Sequence, residues 1–239
     1  MSSSKPFYFK QFTIYDDSST MKVNTDGVLL GALAPVDNYQ NILEIGCGAG
    51  YISIMLAQNN LNASITAIDI DHQSIAQANY NFRNCSWANR LSAYNISLED
   101  FAKSSFNVFD LIISNPPFYL ENYRSIKSQN LIAKHSTVLD FSNFLSLSST
   151  LMNDYSKLCI ILSAKSYNAI ISFARDYCLF ISKQINIIPR KNKKISRVIL
   201  FLEKHLVYPI EVGNLIIRNE DLSYTKDFLE LTKDYLVIS

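Results

Sequence analysis

Asn115-Pro116-Pro117-Phe118 places two hydrogen-bond acceptors next to an aromatic face. That set suits one task, methylation of a planar amino or amide nitrogen. The lone pair of such a nitrogen is delocalised, and it becomes a usable nucleophile only when its N–H groups are gripped. The side-chain oxygen of Asn115 and the carbonyl of Pro116 can each accept one N–H while Phe118 stacks on the acceptor, so catalysis would be mostly positioning. Neither proline donates a backbone hydrogen bond and both fix φ, which makes the segment stiff. The plain alternative is a double-proline turn with a buried Phe. The preceding apolar run Phe109–Ser114 (F-D-L-I-I-S) favours the chemical reading, because it forms a buried parallel strand whose carboxyl end is where ligands bind in an open α/β sheet.

Such a clamp needs a donor, and the glycines show where it sits. The chain has six, five of them between Gly27 and Gly50. Asn41–Gly46 (N-I-L-E-I-G) reads as the first core strand, and Gly46-Cys47-Gly48-Ala49-Gly50 as the turn into a helix over 51–58. The loop is G-x-G-x-G rather than the dinucleotide G-x-G-x-x-G, and Glu44 just before it would repel a pyrophosphate. A carboxylate there better matches the ammonium of a methionine moiety. Ser64–Asp69 is a second strand whose terminal acid is placed for two ribose hydroxyls, with Asp71 capping a helix over 72–83. Leu91–Ile96 is a third strand, leading to Ser97-Leu98-Glu99-Asp100, where the adenine of a cofactor is expected.

The other elements frame these. Residues 7–15 read as one strand. Thr25-Asp26 is either the cap of an apolar helix ended by Pro35 or part of a lid over the cofactor. Residues 121–137 form a long polar segment expected to be functional and mobile. A helix over 140–152, a fifth strand over 157–163 and a helix over 167–177 follow. Two β-rich runs, 179–188 and 195–202, bracket a basic hairpin tip, Arg190, Lys191, Lys193, Lys194 and Arg197. It is either a solvated turn or, preferably, a phosphate-contacting one. An acidic tail closes with a helix near 224–235. Four strands alternating with helices predict a doubly wound parallel sheet.

Composition constrains less. At 239 residues with 48% hydrophobic content there is material for a core, and a net charge of +1 leaves any nucleic-acid argument to local charge. The four cysteines show no C-x-x-C spacing and read as reduced thiols, with no metal site expected. No apolar stretch reaches the roughly 18 residues of a membrane span, and no signal sequence is evident, so a cytoplasmic protein is expected.

The segments F-x-F-K-Q-F at 7–12, M-K-V-N-T-D-G-V-L-L-G-A at 21–32, L-E-I-G-C-G-A-G at 43–50, S-N-P-P-F at 114–118, A-K-H at 133–135 and K-I-S-R-V-I-L-F-L at 194–202 together resemble the bacterial enzymes that N6-methylate the adenosine 3′ of the anticodon (position 37) in a valine tRNA. These are class I, Rossmann-like, seven-stranded methyltransferases using S-adenosylmethionine. The resemblance implies a mostly parallel sheet with a C-terminal antiparallel hairpin, in a single domain over 1–239. That domain would comprise a cofactor-capping segment (1–35), a core (36–204) and a C-terminal extension (205–239). It implies that Glu44, Gly46, Gly48 and Gly50 surround the methionine end of the cofactor, Asp69 its ribose, and Ser97 and Leu98 its adenine. Lys22, Thr25 and Asp26 would close over it, and Asn115, Pro116 and Phe118 would hold the target base, with Asn115 also beside the cofactor. Arg190, Lys191, Lys193, Lys194 and Arg197 would meet tRNA, and the protein would act as a monomer. Three departures stand out: Phe118 replaces the usual tyrosine, Ser97 stands where an acid is common, and Lys134 replaces an arginine. His135 reads as a loop anchor rather than a base, since a methylated amino group releases its proton to water. Trp87 reads as packing. The same motif also fits protein-glutamine methylation, or adenine methylation in rRNA or DNA.

Overall fold

The computed structural model describes residues 5–35, 38–105, 107–116 and 141–238. Its main sheet is built from β3 (Asn41–Ile45), β4 (Ser64–Asp69), β5 (Leu91–Asn95), β6 (Phe109–Ser114), β7 (Met152–Ser163), β8 (Phe180–Arg190), β9 (Arg197–Glu203) and β10 (Glu211–Arg218). They lie in the order β10-β8-β9-β7-β6-β3-β4-β5. β9 runs antiparallel to both its neighbours, and every other pairing in the sheet is parallel. Helices α2 (Tyr51–Asn59), α3 (His72–Arg83), α4 (Leu98–Ser104), α5 (Phe141–Thr150) and α6 (Tyr167–Asp176) connect the strands, with α1 (Thr25–Leu33) before them and α7 (Lys226–Thr232) after.

The central strands β3, β6 and the second half of β7 are buried on both faces, which is why they read as continuous apolar runs. Ile42, Leu111 and Ile113 join the core under α1, α2, α3 and α7, whereas their alternating neighbours Leu43, Ile45 and Ile112 join the core under α4, α5 and α6. Glu44 has the parity of Ile42, so its side chain lies on the α2 side.

The expected α/β class holds, with three local differences. Residues 7–15 form a two-stranded antiparallel hairpin, β1 (Phe7–Tyr8) with β2 (Thr13–Ile14), instead of one strand. The chain doubles back because Phe9 and Phe12 stack at 4.3 Å and are both buried in the core. The cap of α1 is Asn24, whose side chain accepts the Gly27 N–H at 3.0 Å, so Thr25 and Asp26 are already helical. Lastly, the main sheet has eight strands rather than seven. β10 adds to β8 in parallel along one edge, where a strand needs only one neighbour and little apolar periodicity.

Candidate active site

The chain leaves β3 for β4 and β5 on one side, then returns to place β6 on the other. At that reversal the strand ends diverge and open a crevice at the carboxyl edge. Here the crevice is a cavity of about 670 Å³ lined by the ends of β3, β4 and β6, the start of α4, and Asn143 and Phe144 of α5.

Gly46 and Cys47 both donate to the carbonyl of Ile68 (2.8 and 3.1 Å), pinning the glycine loop to the end of β4. Gly46 (φ +73°) lines the cavity, and a Cβ there would meet nothing within 4 Å, so its bare face opens into free space. Gly50 (φ +80°) serves a different purpose. A Cβ on it would sit 2.5 Å from the Phe82 ring, so this glycine permits α3 to close on the loop. We expect Gly50→Ala to destabilise the fold by roughly 2–4 kcal/mol, from left-handed backbone strain plus overpacking, as read by urea unfolding. Gly46→Ala should cost only about 1–2 kcal/mol, from the backbone term alone.

Asp69 lines the cavity with its carboxylate already oriented: Oδ2 accepts the Gly48 N–H and Oδ1 the Asp71 N–H, both at 2.9 Å. Asp71 caps α3 through the N–H groups of Gln73 and Ser74. Ser97 caps α4, accepting from Asp100 N–H at 3.0 Å and donating to Asp100 Oδ2 at 2.7 Å. Ser97, Leu98, Glu99 and Asp100 all line the cavity, so the acids that follow the serine reach the same wall. With Ile68, Ile70 and Ile96 they make that end apolar with polar atoms at its rim.

Glu44 is placed elsewhere. Its side chain is 1% exposed and does not line the cavity; Oε2 accepts from both the N–H (2.9 Å) and the Oγ of Ser53 in α2. Burial, with a further push from the charge of Asp69, raises its pKa to about 8 against the lowering effect of Ser53. The group is therefore largely neutral at pH 7 and buried beneath the glycine loop.

The segment before α1 crosses that loop, but its cavity-lining residues are Thr20 and Met21. Lys22 Nζ donates to the Asp16 carbonyl and lies 3.8 Å from its carboxylate. Asp26 Oδ2 accepts from Arg197 Nε at 2.8 Å. Neither they nor Thr25 line the cavity. Met21 was legible only as part of the M-K-V-N-T-D-G segment, where the charged residues drew attention.

Asn115 and Pro116 close the cavity at the end of β6. Ser114 fastens that end, its Oγ donating to the Ile45 carbonyl at 2.8 Å. The Asn115 side chain is buried, its Nδ2 lies 3.7 Å from Met21 Sδ, and its Oδ1 has no partner among the described residues. An unpaired buried acceptor costs about 1–3 kcal/mol, which makes this oxygen a site for an incoming N–H. Pro117, Phe118, Tyr119, Tyr123, Lys134 and His135, with the whole 121–137 segment, lie outside the described residues.

The basic tip shares the site's edge. Arg197 pairs with Ser163 at the carboxyl end of β7 and with Ile187 of β8, so the β8–β9 turn lies two to three strands from β6, about 10–15 Å. Lys191, Lys193 and Lys194 are exposed there and Arg190 is half-buried. Arg197 is held by Asp26 and is not a free charge. Among the described residues no helix is long and apolar enough to cross a membrane.

Residues 19–161 match the family model for the methyltransferase small domain, a span that includes the glycine loop, Asp69 and Asn115-Pro116. Three proteins named tRNA1(Val) (adenine(37)-N6)-methyltransferase are similar over nearly full length. The Flavobacterium johnsoniae protein is 34% identical over 96% of this chain and 98% of its own. The Haemophilus influenzae protein is 34% identical over 96% and 97%, and the Phocaeicola vulgatus protein 36% over 96% of each. Among solved structures, a predicted O-methyltransferase from Agrobacterium tumefaciens superposes with a TM-score of 0.70 at 17% identity, over 88% of this chain and 96% of that one. A Brevibacillus brevis O-methyltransferase domain in complex with S-adenosyl-L-homocysteine superposes at 0.53 and 13%, over 76% and 72%; both show the fold alone. With a third of its residues shared along almost the whole length of relatives on both sides, and the cavity-forming segments inside the matched domain, this chain belongs to the methyltransferase small-domain family and to the family of the tRNA1(Val) (adenine(37)-N6)-methyltransferases.

Proposed function

We propose that this protein methylates N6 of an adenine in tRNA with S-adenosylmethionine as donor, the target being adenosine 37 of tRNA1(Val), as its relatives are named. The observation that carries the reading is the buried Oδ1 of Asn115 at the end of β6, which has no partner among the described residues.

The cavity suits the cofactor in size and chemistry. Its volume lies within the range of small-molecule sites, Gly46 leaves the wall bare where a Cβ would intrude, and Asp69 presents a pre-oriented carboxylate. In this reading Gly46 and Gly48 border the methionine end, Asp69 takes the ribose hydroxyls, and Ile70, Ile96, Leu98 and the Ser97–Asp100 turn hold the adenine. Thr20 and Met21 cover it. Glu44 and Gly50 act indirectly, by shaping the loop from behind. When bound, S-adenosylmethionine supplies an electrophilic methyl group on a sulfonium.

The protein's own part is to grip the acceptor. Asn115 Oδ1 and the Pro116 carbonyl each take one N–H of the exocyclic amine, and Phe118 stacks on the base. The nitrogen gains positive charge as it attacks, so both acceptors bind more strongly in the transition state than before it. The surplus proton passes to water, and no side-chain base is required.

Labelled S-adenosylmethionine offered with separate tRNA, rRNA, DNA and protein pools should mark tRNA, and digestion should release N6-methyladenosine. Label confined to another pool would overturn the assignment. Replacing Arg190, Lys191, Lys193 and Lys194 by alanine should weaken tRNA binding and flatten the plot of log affinity against log salt by roughly 2–4, with cofactor affinity unchanged. An unaltered slope would remove the hairpin from the RNA surface.

A further inference from the structure

Met21 is half-buried in the cavity wall, and its Sδ lies against Asn115 Nδ2. The segment that carries it is stitched down on both sides. Tyr15 exchanges N–H and C=O bonds with the Asn81 side chain (3.0 and 2.8 Å), and Thr20 N–H donates to Ser74 Oγ at 3.3 Å. Ser19 Oγ donates to the Met21 carbonyl at 3.0 Å, and Val23 N–H donates to Asp16 Oδ2 at 2.9 Å. Gly48 leaves room for this crossing, since a Cβ on it would already stand 3.3 Å from Ser19 Oγ and 3.7 Å from the Met21 carbonyl. The backbone that carries Met21 is thus held down by α3 and by the segment's own hydrogen bonds.

A side-chain amide has two ends of similar shape and opposite hydrogen-bonding sense. A thioether sulfur is a weak acceptor and never a donor, so it favours the NH2 end beside it and disfavours the oxygen. The oxygen then takes the end away from the sulfur, where Oδ1 has no partner among the described residues. The flipped amide would present N–H donors to an amine that also donates, and would not grip it.

We propose, on the adenine-clamp reading above, that Met21 is a positioning residue. Its sulfur selects which end of the Asn115 amide meets the target amino group. Met21→Leu keeps the bulk and removes the acceptor, whereas Met21→Gln restores an acceptor oxygen at similar reach. Steady-state kinetics on tRNA should show kcat lowered about tenfold in M21L, with KM for tRNA and the Kd for S-adenosylhomocysteine within about twofold of wild type, and kcat largely recovered in M21Q. Thermal unfolding establishes that both variants are folded.

Unchanged kcat in M21L would overturn the proposal. So would a loss of cofactor affinity that accounts for the defect, which would make Met21 a wall of the cofactor site only. Equal defects in folded M21L and M21Q would also overturn it, because shape rather than the acceptor would then matter. Wild-type protein inactive on tRNA would instead sink the functional reading itself, so the two failures are distinguishable.

Discussion

Asn115→Ala should lower kcat on tRNA by roughly 100- to 1000-fold, the range found when one pre-organised hydrogen-bonding group is removed from the centre of a reaction. Binding of S-adenosylhomocysteine, measured by calorimetry, should stay within about threefold of wild type, because the cofactor's main contacts are assigned to Gly46, Gly48, Asp69 and the 97–100 turn. The side chain is buried and its oxygen has no partner among the described residues, so removing it also removes a desolvation cost. The variant should therefore unfold no earlier than wild type, with a gain of a few tenths of a kcal/mol to about 1 kcal/mol. This combination of lost turnover, intact cofactor binding and undiminished stability marks a group kept for reaction rather than for folding. Activity within threefold of wild type would sink the clamp.

The second large effect is on stability and concerns Glu44. A carboxylic acid whose folded pKa is raised from 4.5 to about 8 by burial binds more protons folded than unfolded between those values. Its contribution is fully present below pH 4.5 and is lost as pH rises toward 8, at up to about 1.4 kcal/mol per pH unit. Glu44→Gln keeps an acceptor for Ser53 and does not titrate. It should therefore be close to wild type in stability near pH 5 and more stable than wild type by roughly 2–4 kcal/mol near pH 8. Urea unfolding at pH 5, 6.5 and 8 reads this directly, and parallel stability profiles for the two proteins would show that Glu44 is ionised in the fold. Retained cofactor affinity in E44Q would agree with its position behind the loop, whereas a large loss would restore a direct role for the carboxylate.

These two residues also differ in how far the chain alone places them. The position of Asn115 was legible because it is set locally: an apolar run broken by two prolines puts an asparagine at a strand's carboxyl end in any packing. Asp69 and Asp71 were separable for the same reason, since a cap is defined by the N–H groups two and three residues later. Glu44 was not. A parallel strand buried on both faces shows no alternation between polar and apolar residues, so nothing in N-I-L-E-I-G tells whether the acid faces the crevice or the helix behind it. Parity with Ile42 and the Ser53 contact decide that.

Lys22, Asp26 and Arg197 failed to separate in a similar way. Each is a charge near a recognisable segment, and sequence separation hides that Asp26 and Arg197, 171 residues apart, meet each other. The position of Met21 is not legible in the sequence because the backbone that carries it is held by hydrogen bonds from α3, far along the chain. β10 was missed because an edge strand needs one partner and carries little periodicity of its own.

The fold class, the glycine loop, the acid at the end of β4, the asparagine–proline exit from β6 and the basic β8–β9 turn can all be read from the chain alone. All of these follow from short-range rules on backbone freedom, capping and apolar runs. Which side chains face the cavity emerges from the packing of helices on the sheet, because it depends on which helix covers which face. That packing withdrew Glu44, Lys22 and Asp26 from the cavity wall, paired Arg197 with Asp26, and set Met21 against the Asn115 amide.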